Sequence, residues 1–131
     1  MKSIRAFRGA TQLIADDATE MRAAVIELMG ELLAANELAE DDLISILLTA
    51  TPDLKCEFPA VGIRSMGFTD VPLLCAQEID IDGALPRTVR IMIYAQSKRS
   101  KQEATHKYLR GAAVLRPDLG AKNISGSERK K

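Results

Sequence analysis

Apolar positions recur along this chain at two different periods, and the switches between them mark its elements. Over Lys2 to Leu13 the side chains alternate, with Ile4, Ala6, Arg8 and Ala10 on one face and Arg5, Phe7 and Gly9 on the other, which predicts a strand. Asp17 and Glu20 then form a capping-box pattern. Met21, Val25, Leu28 and Leu32 follow at helical spacing, with Met29 widening the stripe, so one amphipathic helix is expected over 18–35 with its stop at Asn36. Leu43 to Thr51 is a nearly continuous apolar run, short enough for a buried strand, and Pro52 ends it. Phe58-Pro59-Ala60 opens a short helical stretch to Met66, with Pro59 suited to the first turn and Gly67 closing it.

Val71 to Ala76 is a further strand candidate, and Ile79-Asp80-Ile81-Asp82-Gly83 alternates and then turns at Asp-Gly. Thr88 to Gln96 is the clearest strand: Val89, Ile91 and Ile93 face one way, and Arg90, Met92 and Tyr94 the other. Ser100 to Tyr108 is polar and reads as a turn or two of helix, and Ala112 to Leu119 ends in Leu-Arg-Pro-Asp-Leu. One long helix among four or five strands predicts an α+β fold with a mixed β-sheet.

Composition narrows the class. The 131 residues suit one domain, expected over 1–119, while 120–131 is rich in Gly, Ser and Lys without periodicity and is expected to be a flexible tail. Eighteen basic residues balance eighteen acidic ones, which argues against a polyanion such as nucleic acid as the partner. No apolar run reaches the roughly 20 residues that cross a bilayer. Arg5 and Arg8 interrupt any signal-peptide segment, so no membrane role is expected. Cys56 and Cys75 lack Cys-x-x-Cys spacing and His106 is the only histidine, which points to a reduced, cytoplasmic protein without a metal site.

The candidate chemistry lies in cations on apolar strands. Arg90 interrupts an apolar run, and a guanidinium there needs an anion, a protein carboxylate or a ligand, unless it leaves the sheet edge for water. Arg8 poses the same question, beside a glycine that permits close approach. Glu78 at a strand end can accept a hydroxyl hydrogen bond or pair with Arg8 or Arg90. Cys75 reads as a small buried hydrophobe, because no base is supplied to make it a nucleophile. Tyr108 can bond a carboxylate or simply pack, Arg116 sits where a terminal segment could fold over a site, and His106 reads as a surface residue in a polar helix. No phosphate loop and no Ser-His-Asp set is present. Several arginines without a cofactor motif fit recognition of a small dianion, and do not by themselves name a reaction.

Six ordered segments carry a resemblance: Arg8-Gly9-Ala10-Thr11, Ala50-Thr51-Pro52-Asp53-Leu54, Phe58-Pro59-Ala60, Val71-Pro72-Leu73-Leu74-Cys75-Ala76-Gln77-Glu78, Pro86-Arg87-Thr88-Val89-Arg90 and Leu115-Arg116-Pro117-Asp118-Leu119. Together, from about residue 4 to 119, they resemble the monofunctional chorismate mutases of the AroH class. The resemblance implies cofactor-free isomerisation of chorismate to prephenate, on the route to phenylalanine and tyrosine. It also implies a trimeric pseudo-α/β-barrel, a homotrimer with sites between subunits.

Carried across by position, Arg8 looks like the arginine that binds a substrate carboxylate and Arg90 like the one beside the ether oxygen of the breaking bond. Glu78 and Cys75 resemble the pair at the ring hydroxyl, and Tyr108 the tyrosine near a carboxylate. Phe58, Ala60 and Arg64 correspond to a wall offered by the neighbouring subunit. Leu73 and Leu74 line the pocket, and Leu115 and Arg116 match the segment that closes over it. Val61 stands where some members carry lysine, so the entrance has one cation less. Two rivals of similar architecture remain, an enamine deaminase and a non-catalytic small-anion-binding trimer. Neutral overall charge is compatible with all three, since a pocket can be cationic locally.

Overall fold

Antiparallel pairing of the two longest strands, β1 (Ser3–Gln12) and β4 (Thr88–Ser97), builds the centre of the molecule. The computed structural model describes residues 1–117, and the tail expected over 120–131 lies outside them, as do Asp118 and Leu119. β2 (Leu43–Ala50) runs antiparallel to β4 on its other side. β3 (Leu73–Gln77) adds parallel to β2, and β5 (Lys107–Tyr108) adds parallel to β1. The result is a mixed five-stranded sheet in the order β3-β2-β4-β1-β5, as the α+β reading expected.

Helix α1 (Ala18–Ala35) and helix α2 (Ala60–Ser65) pack on one face of this sheet. α1 buries Met21, Ala24, Val25, Leu28, Met29 and Leu32, the stripe its periodicity predicts, against Phe7, Ile46, Leu48, Ile91 and Ile93. Asp17 caps the helix by accepting the Glu20 N–H at 2.8 Å. The Glu20 carboxylate does not close the capping box. It accepts instead from the N–H groups of Ile14 and Ala15, tying the end of β1 to the helix start. Gly9 lies where α1 crosses closest: a Cβ there would stand 2.8 Å from the Lys107 carbonyl and 2.9 Å from Leu28.

The opposite face is covered only at the β5 end among the described residues. There a 3-10 helix, Arg110–Leu115, packs Ala112 and Leu115 on Ala10 and Tyr108. The register places Arg90, Met92 and Tyr94 of β4 on this open face beside Ala10, Arg8 and Ala6 of β1, and beside Thr49, Leu47 and Ser45 of β2.

Two local expectations change, while the turn expected at Asp82-Gly83 stands. The strand expected from Val71 begins at Leu73, because Pro72 has no N–H to give; its carbonyl still accepts the Ile46 N–H at 3.0 Å. The alternation at Ile79–Asp82 forms no strand: both isoleucines are exposed, and the chain turns at Gly83 with φ +84°. The helix expected over Ser100–Tyr108 is a single 3-10 turn at Lys101–Glu103 followed by β5. Asn36, buried at the end of α1, overrides the local preference by gripping Thr105 from both sides. Its Oδ1 accepts the Thr105 N–H at 2.7 Å and its Nδ2 donates to the Thr105 carbonyl at 2.8 Å.

Candidate active site

Two charged groups stand on the open face. In the first, Nε of Arg8 donates to the Tyr108 hydroxyl at 2.9 Å, and the Arg116 guanidinium lies 5.8 Å from the centre of the Tyr108 ring, within cation–π range. In the second, Nε of Arg90 donates to Oε2 of Glu78 at 3.0 Å, and the Thr49 hydroxyl donates to the same oxygen at 2.6 Å. Glu78 is aimed there because its own N–H bonds the Ala50 carbonyl at 2.9 Å, extending the β2–β3 pairing by one residue.

The two groups are neighbours by register. Ala10 is the partner of Arg90 and Arg8 the partner of Met92, so the arginines occupy diagonal positions on adjacent strands and point to the same side. Each is tethered through Nε alone: among the described residues neither guanidinium has another hydrogen-bonded partner for its Nη groups, and Oε1 of Glu78 accepts no hydrogen bond. Two fixed cations with donors to spare, and one carboxylate oxygen with acceptor capacity, suit a small ligand bearing two carboxylates and a hydroxyl.

Of the remaining expected residues, Leu74 and Leu115 share the open face with the two groups, and the others lie apart from them. Leu73 and Cys75 pair with Ile46 and Leu48, so they turn toward the helices and not toward Arg90, whereas Leu74 projects from the open face, 66% exposed. Cys75 and Phe58, the latter 70% exposed, line a cleft of about 500 Å³ with Ala50, Leu54 and Cys56. Ala60 is buried at the start of α2, and Arg64, one turn on, is exposed beside a smaller recess with Phe68 and Leu73. Among the described residues no hydrogen bond or ion pair links Phe58, Ala60 or Arg64 to the two arginine groups. Leu115 is half-buried against the Ala10–Tyr108 cluster.

Three further polar residues support the site without having been singled out for it. Thr49 holds Glu78; its signal was its place in a Leu-Leu-Thr-Ala run, alternating with the core residue Leu48. Asn36 had a signal only as a helix stop. His106, expected on the surface of a helix, is half-buried in extended chain, and its Nδ1 accepts the backbone N–H of Arg8 at 3.1 Å. Burial, and then the charges of Arg8 and Arg116, lower its pKa below the ordinary 6.5. At Cys56 burial and a hydrogen bond to Asp16 push the thiol up to about 11, so this cysteine stays protonated.

The comparisons decide the family. A family profile described as Chorismate mutase type I matches residues 4–119. The chain belongs to the chorismate mutase type I family. Membership makes it an isomerase of the chorismate mutase class. It is similar to Chorismate mutase AroH of Bacillus subtilis (strain 168), with 37% identity over 117 residues, 88% of this chain and 92% of that protein. The Chorismate mutase AroH of Thermus thermophilus is 36% identical over 117 residues, 88% of this chain and 96% of that protein. Among solved structures, chorismate mutase from Clostridium thermocellum superposes with a TM-score of 0.83 at 41% identity, covering 85% of this chain and 99% of that one. The mixed sheet with helices on one face is therefore the family's fold.

Proposed function

We propose that this chain converts chorismate to prephenate in a cofactor-free [3,3] rearrangement, at cytoplasmic homotrimer sites built between subunits. The observation that carries the site assignment is the diagonal pair of arginines on the open face, one tethered to Tyr108 and the other to Glu78. Such a rearrangement asks for no nucleophile, metal or proton transfer. It asks that an extended dianion be folded into a chair-like conformer, and that negative charge growing on the ether oxygen find a cation already in place.

Each residue then has a task. Arg8, steadied by Tyr108, holds a substrate carboxylate, and Arg116 over the Tyr108 ring adds charge on the same side. Arg90 faces the ether oxygen with its Nη donors. A full charge pair at ~4 Å and effective dielectric ~20 is worth about 4 kcal/mol, and partial charge development draws on a fraction of that. Only the part that grows between ground and transition state speeds the reaction. Glu78 keeps Arg90 oriented and offers Oε1 to the ring hydroxyl.

Sharing between subunits accounts for what a single chain leaves apart. Leu47, Met92, Tyr94 and Leu74 give the open face an apolar stretch beside the arginines, with Tyr94 and Leu74 exposed. Packing a neighbouring chain against this face would bring that neighbour's Phe58, Ala60 and Arg64 to the arginine groups as the far wall, with Leu73 and Leu74 lining the pocket. Cys75, on the helix side of β3, would then contribute packing and not reactivity.

The test is incubation of EDTA-treated protein with chorismate, followed by the loss of chorismate absorbance and by the product. Formation of prephenate without added metal or cofactor, by a species of three chain masses in sedimentation, is the expected result. Binding without turnover would leave a small-anion-binding protein, and turnover of an enamine but not of chorismate would leave a deaminase.

A further inference from the structure

The β1–β5 ladder is only two residues long, Gly9 with Lys107 and Ala10 with Tyr108. One position before it, the N–H of Arg8 meets the imidazole of His106 in place of a backbone carbonyl. The Thr105 carbonyl is turned away to Asn36, whose two-sided grip fixes where residue 106 begins. On the other flank of Arg8, Tyr108 accepts from its Nε. The segment 105–108 therefore holds Arg8 at two points, main chain through His106 and side chain through Tyr108.

We propose that neutral His106 is a positioning residue for substrate binding, fixing the main chain from which the Arg8 guanidinium is aimed at a substrate carboxylate. The inference rests on the reading of Arg8 as a carboxylate-binding residue. In neutral imidazole one ring nitrogen donates and the other accepts, so an accepting Nδ1 places the proton on Nε2. Imidazolium has no acceptor, and protonation would turn Nδ1 against the Arg8 N–H while adding a third cation beside two guanidinium groups.

The surroundings keep the acceptor available. Arg8 faces His106 from β1, and Arg116 faces it from the end of the 3-10 helix. On its own segment, the Tyr108 hydroxyl is engaged with Arg8. Lys107 lies on the helix side of the sheet with Gly9, its ammonium 3.7 Å from Glu31 of α1. Burial and both arginines disfavour the charged ring.

The test compares wild type, His106→Leu, His106→Asn and Arg8→Ala, each first shown to fold by circular dichroism, for kcat and KM on chorismate between about pH 5 and 8. Leucine removes the acceptor at similar volume; the asparagine carbonyl can stand where Nδ1 stands and does not titrate. Loss of one neutral hydrogen bond predicts a KM for His106→Leu raised about fivefold at neutral pH, with kcat moved less. His106→Asn should rescue that KM and abolish the rise in KM that wild type shows as the pH falls.

A wild-type KM in His106→Leu, with KM raised in Arg8→Ala, overturns the inference and spares the Arg8 reading. A wild-type KM in Arg8→Ala removes that reading and the inference with it. Should His106→Leu fail to fold, His106→Asn decides: persistence of the wild-type acid rise in KM overturns the inference. Nitrogen-15 shifts of His106 give a readout apart from activity, since a protonated Nδ1 at neutral pH also overturns it.

Discussion

Nε of Arg90 lies 3.0 Å from Oε2 of Glu78, and the Thr49 hydroxyl bonds that same oxygen. The Arg90 side chain is 41% exposed, and ion pairs so open to water contribute about 0–1 kcal/mol to stability. So weak a bridge is a poor reason to put a charge in an apolar strand. It is a good way to keep a cation aimed while leaving its Nη donors to a ligand. Glu78→Ala should therefore leave the melting temperature nearly unchanged. It should lower kcat/KM by about tenfold, the worth of one or two hydrogen bonds. Arg90→Ala should cost at least a hundredfold, as removal of a transition-state charge partner does. The reverse order in the same assay would mean the two roles are misassigned.

His106 makes a signed prediction for stability. Its pKa is lowered in the folded chain from the ordinary 6.5, so below that pH the unfolded chain binds a proton that the folded one resists. Stability from this group is complete above about pH 6.5 and is lost as the pH falls through that value toward the folded pKa. Asp16, Asp42 and Glu103, whose pKa values are lowered by hydrogen bonds to Cys56, Lys2 and Ser100, lose their contributions at more acid pH, below the ordinary 3.8 to 4.5. Urea midpoints measured from about pH 7.5 to 5 should fall, and the fall should flatten in His106→Asn. An unchanged slope in that variant would assign it to other groups.

How much of this could be read in the sequence depended on how local the cause was. The Met21–Val25–Leu28–Leu32 stripe and the alternation through Val89–Ile93 lie within single elements, and both elements stand where their periods put them. The facing of Arg90 away from the core followed from the same alternation. Its partner was left open between protein and ligand, because the answer depends on a β2–β3 register joining Thr49 to a strand that ends 28 residues later, at Gln77. β5 was missed for a related reason. Two residues have no period, and what extends them is Asn36, 69 positions from Thr105. The roles taken from the family resemblance for Phe58 and Arg64 concern a second subunit, which no pattern within one chain expresses.

Asn36→Ala should show how strongly that distant contact acts. The substitution strands the Thr105 N–H and carbonyl and removes a bond to the Leu32 carbonyl at 2.9 Å. With the site buried, a loss of about 2–3 kcal/mol is expected in urea denaturation. Asn36→Asp should not rescue it, because a carboxylate would face two carbonyl oxygens. Hydrogen exchange at Lys107–Leu109 should quicken in both variants, and unchanged protection there would detach β5 from Asn36.

Cys56 should be nearly inert to alkylation. A thiol pushed up to about 11 by burial and by Asp16 holds little thiolate at mildly alkaline pH. Iodoacetamide at about pH 8 should label Cys56 far more slowly than a free peptide thiol, and Asp16→Asn should speed the labelling. Fast labelling of Cys56 in the native protein would contradict the hydrogen bond to Asp16.

The most direct test of the account is the kcat of Arg90→Lys with chorismate. Lysine keeps the positive charge but not the planar fork that bonds Glu78 through Nε while presenting Nη donors to an oxygen. In Arg90→Lys kcat should fall by about a hundredfold or more while KM changes much less. A kcat near that of the wild type would contradict it.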